Sequence, residues 1–105
     1  MSYNRSPLAF DDVREAFERA LGAPKGIRVV CKDRGAAFVL RSRFNYFRTL
    51  DREENRKTYQ PDDPMYGKSV YDRLILRIPP KGDKDEHVLL IEPRSVEAFD
   101  IEDII

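Results

Sequence analysis

The sequence has few of the residues that build disulfide frameworks, metal centres or membrane spans. Among its 105 residues there are one cysteine, one histidine and no tryptophan. A single cysteine excludes an internal disulfide, and a histidine with no second histidine or cysteine nearby does not make a zinc site. No apolar stretch approaches the roughly 20 residues that cross a bilayer. No apolar run follows Met1 either, so we expect no signal peptide and a cytoplasmic protein.

The short patterns that resemble catalytic or ligand-binding motifs lack residues that those motifs need. The Gly67–Ser69 run has the Gly-Lys-Ser of a phosphate-binding loop, but Asp62 stands where that loop needs its first glycine. The acids of the 83–86 stretch do not follow the calcium-loop spacing, and His87 has no nucleophile placed near it by a recognisable pattern. We therefore expect a non-enzymatic protein without a metal or cofactor.

Charge is balanced overall but unevenly distributed along the chain. The 19 basic and 19 acidic side chains give a formal net charge of zero, so no overall field favours nucleic acid or a membrane surface. Residues 34–59 nevertheless carry seven basic and three acidic side chains, whereas residues 60–105 carry six basic and eleven acidic ones. The chain therefore combines a basic middle with an acidic end.

Length and hydrophobic periodicity predict a single α+β domain over residues 1–105. The predicted elements are, in order, a helix with Asp11 as its N-cap that ends at Gly22, a strand over Ile27–Cys31, a long helix over Arg34–Tyr59, and strands over Tyr71–Ile78 and Val88–Ile91. Continuous apolar character places the 88–91 strand in the centre of the sheet. We expect the order α-β-α-β-β, a three-stranded sheet packed against the long helix, and a possible short helix after Ser95.

The long helix has an apolar face and a separate line of basic residues. At about 100° per residue, its apolar residues share one side: Ala36, Ala37, Leu40, Phe44 and Phe47. Beside them lies a set that we call the basic stripe: Arg34, Arg41, Asn45, Arg48, Arg52 and Arg56. Because the apolar face is separate, we predict that four of these residues are dispensable for folding: Arg41, Arg48, Arg52 and Arg56.

Two interpretations of the basic stripe remain open. Its five guanidiniums extend over roughly 33 Å of helix, which is about one turn of a duplex backbone. Asn45 within it could hydrogen-bond a base edge or a phosphate. In the alternative, the arginines form a solvated surface that pairs with the protein's own acids, among them Asp51 and Glu54.

Aromatic side chains accompany the basic stripe. Phe38 and Tyr46 lie off the apolar face of the long helix, and Tyr59, Tyr66 and Tyr71 lie around its end. Aromatic residues interleaved with arginines suit stacking on unpaired bases. The alternative is that the tyrosine rings close a small core while their hydroxyl groups reach water.

The last residues of the sequence are acidic with an apolar tip. Residues 92–105 contain five acids and one arginine, and they close with Ile-Glu-Asp-Ile-Ile. This composition resembles the acidic tails of single-stranded DNA-binding proteins, which recruit partners and compete for their own DNA groove. The alternative is a terminal amphipathic element docked on the sheet, with Val96 and Phe99 on its inner face.

A longer pattern covers about a third of the chain. It comprises Arg43, Tyr46, Arg48, Asp51, Arg52, Asn55 and Tyr59, followed by the 64–72 run Pro-Met-Tyr-Gly-Lys-Ser-Val-Tyr-Asp. In these residues the chain resembles small accessory proteins of bacteriophages and prophages. The resemblance implies a phage protein that acts on DNA, RNA or a host enzyme, and it implies no catalytic residue.

Taken together, these patterns favour a nucleic-acid-binding protein that uses the long helix. The predicted contact residues are Arg34, Arg41, Arg43, Asn45, Tyr46, Arg48, Arg52, Arg56 and Lys57. The alternative is a protein-interaction module, such as a phage-encoded inhibitor or adaptor of a host protein, because arginine and tyrosine are also favoured at protein hot spots. The zero net charge suits this alternative better.

Overall fold

The structure is a computed structural model, and it describes residues 10–94. Within that range the chain forms two α-helices, one 3-10 turn and three β-strands: α1 (Asp11–Gly22), β1 (Ile27–Val30), α2 (Arg34–Thr58), the 3-10 turn (Val70–Arg73), β2 (Leu74–Arg77) and β3 (Val88–Pro93). The predicted α+β class and the predicted order of elements are confirmed. The helix predicted after Ser95 lies outside the described residues. No helix within residues 10–94 is long and apolar enough to cross a membrane.

The sheet is antiparallel, with the strand order β1-β3-β2. β3 pairs with β1 on one side, where Val88 faces Val30, and with β2 on the other, where Pro93 faces Leu74. The prediction that the 88–91 segment is the central strand is therefore confirmed. Its continuous apolar sequence follows from this position, because a central strand between two neighbours has little contact with water.

Entry into β1 depends on Gly26. This residue has a φ of +83°, in the left-handed region that glycine adopts without steric cost. A Cβ atom at this position would collide with the backbone of Ile91 and Glu92 in β3. Glycine therefore allows β1 to begin in register beside the central strand.

The start of α1 differs from the prediction. The N-cap position is held by Phe10 rather than Asp11, and its side chain makes no capping hydrogen bond. The reason is that the Phe10 ring is buried against the core, 5.9 Å from the ring centroid of Phe47. Hydrophobic packing therefore fixes this helix end, although Asp12 accepts a hydrogen bond from the amide of Val13 in the first turn.

α2 begins and ends as predicted. The carboxylate of Asp33 accepts a hydrogen bond from the amide of Ala36 at 2.7 Å, which satisfies one of the free amides at the helix start. The helix ends at Thr58, and Pro61 follows soon after. Proline cannot continue a helix because it lacks an amide hydrogen and its ring clashes with the preceding turn.

The strand predicted over Tyr71–Ile78 begins three residues later than expected. The cause is a capping box: the Ser69 hydroxyl accepts from the amide of Tyr71 at 3.1 Å, and the Asp72 carboxylate accepts from the amide of Ser69 at 3.0 Å. These hydrogen bonds hold residues 70–73 in a 3-10 turn. The side-chain hydrogen bonds thus outweigh the β propensity of Val70 and Tyr71.

Both helices pack on the same face of the sheet. The largest fully buried side chains are Phe17, Phe44, Phe47, Leu74, Leu89, Ile91, Val13 and Val88. Phe17 contacts Phe44 edge to face at 4.7 Å and stacks on Tyr71 at 4.8 Å. The predicted apolar face of α2 is confirmed, because Ala37, Phe44 and Phe47 are buried and Leu40 packs at the margin of the core.

Candidate nucleic-acid interface

Arg48, in the middle of the basic stripe, points into the protein, with only 11% of its side chain exposed. Its guanidinium donates hydrogen bonds to the carbonyl oxygens of Tyr71 at 3.1 Å and Leu74 at 2.8 Å. A third goes to Oδ1 of Asn45 at 2.9 Å. Burial, and then the nearby charge of Arg52, lower the pKa of Arg48, but arginine stays charged in proteins. Arg48 and Asn45 therefore link α2 to the start of β2.

Arg52 pairs with Asp72 in the 3-10 turn. Its Nη2 lies 2.5 Å and its Nε lies 2.9 Å from Oδ1 of Asp72. Burial raises the pKa of Asp72, but hydrogen bonds from Arg52 and from the amide of Ser69 outweigh burial, and the pKa is lowered overall. The same contact raises the pKa of Arg52. Arg52, which the sequence predicts as a phosphate contact, therefore pairs with a carboxylate of its own chain while 40% of its side chain stays exposed.

The last turns of α2 contact the loop that follows them. The guanidinium of Arg56 lies 5.9 Å from the ring centroid of Tyr66 and packs beside Gly67. Asn55 donates a hydrogen bond to the carbonyl oxygen of Lys68 at 2.5 Å. These contacts hold the returning loop along the helix, while Arg56 itself remains exposed.

The C-terminal half of the basic stripe thus makes internal contacts. Arg48 and Arg52 both hydrogen-bond the 71–74 segment, so whether they are dispensable for folding, as the sequence predicts, stays a prediction that needs a test. The helix considered alone gives no sign of this, since residues 59–73 return along it only in the folded chain. Lys57, in contrast, lies exposed in the last turn of α2.

Arg43 joins the two helices. Its guanidinium donates to both carboxylate oxygens of Asp12, at 3.0 and 3.2 Å, and lies over the ring of Phe10. The hydrogen bond from Arg43 is the largest influence on Asp12 and holds the pKa of that carboxyl below its usual value. Tyr46 remains 39% exposed nearby. Both predicted contact residues are therefore partly exposed, since 41% of the Arg43 side chain also remains accessible.

Tyr71, which the sequence grouped with possible stacking residues, belongs to the core. Its ring is buried against Phe17, and its hydroxyl donates a hydrogen bond to Glu18 at 2.6 Å. Burial, with the hydrogen bond and charge of Glu18, raises the pKa of Tyr71 to about 12. Tyr66 is half-buried beneath Arg56, and Tyr59 is exposed at the end of α2.

The N-terminal half of the stripe has a different environment. Arg34 donates hydrogen bonds to the carbonyl oxygens of Pro79 and Glu86, and so holds the β2–β3 connection against the start of α2. The guanidiniums of Arg34 and Arg41 lie over the same ring, 5.1 and 4.6 Å from the centroid of Phe38. Phe38 is nevertheless 38% exposed. The result is an accessible aromatic ring bordered by two cations.

Beside this ring lies a shallow depression that we call the basic hollow. It is lined by Lys32, Asp33, Arg34, Gly35, Phe38, Lys81, Glu86 and His87. Both of its acids accept hydrogen bonds from backbone amides, Asp33 from Ala36 and Glu86 from Gly82. Lys32 and Lys81 are exposed. The hollow therefore presents cations and an aromatic ring together.

Sequence reasoning found Phe38 but missed the basic residues around it. Lys32 precedes α2, whereas Lys81 and His87 belong to the connection between β2 and β3. The two segments meet because β3 returns beside β1, where the amide of Cys31 donates to the carbonyl oxygen of His87. The apolar pattern of the strands indicates their order in the sheet, but it does not indicate the path of the polar connection between β2 and β3. The sequence signal for this surface was Phe38, a phenylalanine that lies off the apolar face of the helix.

Comparison with known proteins assigns no family to this geometry. No protein-family model matches the chain, and neither a curated protein nor a solved structure matches it. Across residues 10–94 there is also no group of three or more histidine, cysteine, aspartate or glutamate side chains that could hold a metal ion. The function must therefore be inferred from charge, exposure and contacts.

Proposed function

We propose that the protein binds nucleic acid through the basic hollow and the adjoining half of α2. The observation that carries the proposal is the exposed ring of Phe38 in contact with the guanidiniums of Arg34 and Arg41. Accessible aromatic rings beside cations are the usual means of stacking on bases while neutralising phosphates. The setting implied by the sequence resemblance, a phage protein that acts on DNA or RNA, forms part of this proposal.

The charge distribution along α2 supports this location. The first 17 residues of the helix, Arg34–Leu50, carry four arginines and no acid, and Lys32 lies just before them. The remaining residues of the helix carry three acids against three basic side chains. A polyanion is therefore attracted to the N-terminal half even though the whole chain is neutral.

The residues of this surface have distinct roles in the proposal. The phosphate contacts come from Lys32 and Lys81, which are exposed in the hollow, and from Arg41, which is half-buried beside Phe38. Phe38 stacks on a base, and Arg34 positions both the ring and the β2–β3 connection. Arg48 and Arg52, which the sequence predicts as contacts, make internal hydrogen bonds and are not part of the proposed surface.

Oligonucleotide binding measured by fluorescence anisotropy over a salt series tests the proposal. Each phosphate contact adds about 0.9 to the log–log salt slope for duplex DNA and about 0.7 for single strands. The double variant Lys32→Gln/Arg41→Gln should therefore make the slope shallower by roughly 1.4 to 1.8. The matched control Arg56→Gln/Lys57→Gln removes the same charge from the other end of α2 and should leave the slope unchanged.

Phe38→Ala separates stacking from charge in the same assay. Loss of one aromatic platform weakens single-strand binding by about 1–3 kcal/mol, with the salt slope unaffected because no cation is removed. A wild-type protein that binds no oligonucleotide at low salt would refute the proposal. If the control pair and Lys32→Gln/Arg41→Gln lose oligonucleotide affinity equally, the binding site lies on another surface.

A protein interface on the same helix is the second candidate function. Val39 is 66% exposed and lies beside Phe38, with Tyr46 two turns further along. An exposed aliphatic side chain next to aromatic rings suits a protein partner, because interface cores are enriched in aromatic residues. Val39→Ser distinguishes the two: it should leave oligonucleotide affinity unchanged and weaken a protein partner captured after nuclease treatment.

A further inference from the structure

A second hollow lies at the opposite end of the sheet, where β3 ends. It has a volume of about 190 Å³ and is lined by Ala20, Leu21, Arg73, Leu74, Pro93 and Arg94. We call it the exit hollow. Ala20 and Leu74 are buried in its floor, whereas Arg73 and Arg94 are exposed at its rim. Such a site accepts an apolar side chain that has a carboxylate close to it in sequence.

Positive charge accumulates beside the exit hollow. Arg94 acts on Arg48 as a nearby like charge, and its amide donates to the carbonyl oxygen of Arg73 at 2.6 Å. Among residues 10–94, the carboxylate that pairs with this group is Asp72, 2.5 Å from Arg52 and 3.9 Å from Arg48. Nε of Arg48 is buried without a hydrogen-bond partner in the same range. In the arginine cluster Arg48, Arg52, Arg73 and Arg94, the first two are engaged in internal contacts, and the last two are exposed at the rim and accessible to further anionic partners.

The segment that follows Arg94 has the complementary composition. Residues 95–105 contain four acids, no basic residue and five large apolar side chains. Val96 and Phe99 are three positions apart, as are Glu97 and Asp100, so each pair shares a side of a helical turn. The segment begins at Ser95, immediately after a rim residue of the exit hollow.

We propose that residues 95–105 dock on the exit hollow of their own chain. Val96 and Phe99 enter the hollow, and Glu97 and Asp100 lie beside the arginine cluster. The apolar pair is removed from water, and the carboxylates lie close to the exposed guanidiniums of Arg73 and Arg94 at the rim, where opposite charges attract. This inference does not depend on the proposed nucleic-acid binding.

The docked position has a functional consequence. The exit hollow lies at the end of the sheet where Leu74 faces Pro93, whereas the basic hollow lies at the end where Val30 faces Val88. The acidic segment therefore adds negative charge beside Arg73 and Arg94 and leaves Phe38 and Arg41 uncovered. A tail that competes for the nucleic-acid surface would instead lie at the end of the sheet that carries the basic hollow.

Disulfide trapping in the full-length chain tests the docking. With Cys31→Ser as background, Val96→Cys is combined either with Leu21→Cys in the exit hollow or with Ile75→Cys as the matched control. Ile75 is the neighbour of Leu74 on the opposite, exposed face of β2. A disulfide needs Cα atoms within about 7 Å, so trapping with Leu21→Cys should be at least about tenfold faster. Equal rates, or disulfides formed mainly between two copies, would overturn the proposal.

The variant Phe99→Ala allows a second test, and it alters no residue within the range 10–94. Removing the ring should shift the NMR signals of Leu21 and Leu74 and leave those of Ile75 and Val30, on the opposite face of the sheet, in place. Shifts confined to the opposite face, or to Phe38 and Arg41 on α2, would place the segment elsewhere and overturn the proposal. This readout applies even if a cysteine variant does not fold.

Discussion

Arg48→Met tests whether an arginine of the basic stripe supports the fold. The substitution keeps an unbranched apolar stem and removes the guanidinium that donates to the carbonyl oxygens of Tyr71 and Leu74. The Tyr71 oxygen keeps the amide of Leu74 as a donor. A hydrogen bond to a charged group contributes about 1.5–3 kcal/mol. Relief of the repulsion from Arg52 and Arg94 offsets part of the loss. We expect the free energy of unfolding to fall by about 3 kcal/mol, out of a total of about 5–15 kcal/mol.

Urea denaturation and thermal melting measure this loss. A fall of about 3 kcal/mol lowers the melting temperature of a domain this small by about 12 °C or more. Arg41→Met is the matched control, since Arg41 contacts the exposed ring of Phe38 and should cost about 1 kcal/mol or less. If both variants unfold with the same free energy, the hydrogen bonds of Arg48 do not support the fold. The guanidinium would then be available to a polyanion, as the sequence predicts.

Two further predictions concern the core. Gly26→Ala should lower the free energy of unfolding by at least about 2 kcal/mol, because the new Cβ collides with the Ile91 backbone at a positive φ. The control is Gly22→Ala, where a Cβ meets nothing within 4 Å. This control should be neutral or stabilising in the same melting experiment. The pKa of Tyr71 is raised to about 12 in the folded state, so its contribution to stability is complete below the unfolded pKa of about 10 and is lost between about pH 10 and 12. Ultraviolet titration of the phenolates should show one late component that Tyr71→Phe removes, and an unchanged titration in that variant would contradict the assignment.

The architecture could be predicted because it depends on patterns that are local in the sequence. The apolar spacing of Ala37, Phe44 and Phe47 defines the buried face of α2, and Asp33 with Pro61 brackets the helix. The continuous apolar character of the 88–91 segment identifies the central strand. Each of these signals depends on residues within a few positions of one another, where periodicity and capping rules apply.

The role of the basic stripe could not be predicted in the same way. Arg48 and Arg52 look alike on a helical projection, and alike to Arg41, but their environments depend on residues 20 to 26 positions away. The capping box of Ser69 and Asp72 decides those environments, because it turns Tyr71 inward and places carbonyl oxygens and a carboxylate against α2. A regular spacing of arginines therefore predicts a shared side of the helix, but not whether that side faces solvent.

The central position of β3 has a consequence for how the chain acquires its structure during synthesis. β3 is the last element of residues 10–94, yet both β1 and β2 pair with it and with no other strand of the described sheet. The two helices and the first strand therefore leave the ribosome before the strand that completes their core exists. The sides of α1 and α2 that pack on β3 stay uncovered until residue 93 has emerged, since the β1–β3 pairing joins segments more than 55 positions apart. Non-local pairing of this kind slows folding, and a nascent chain with exposed apolar helices is prone to aggregate or to engage chaperones.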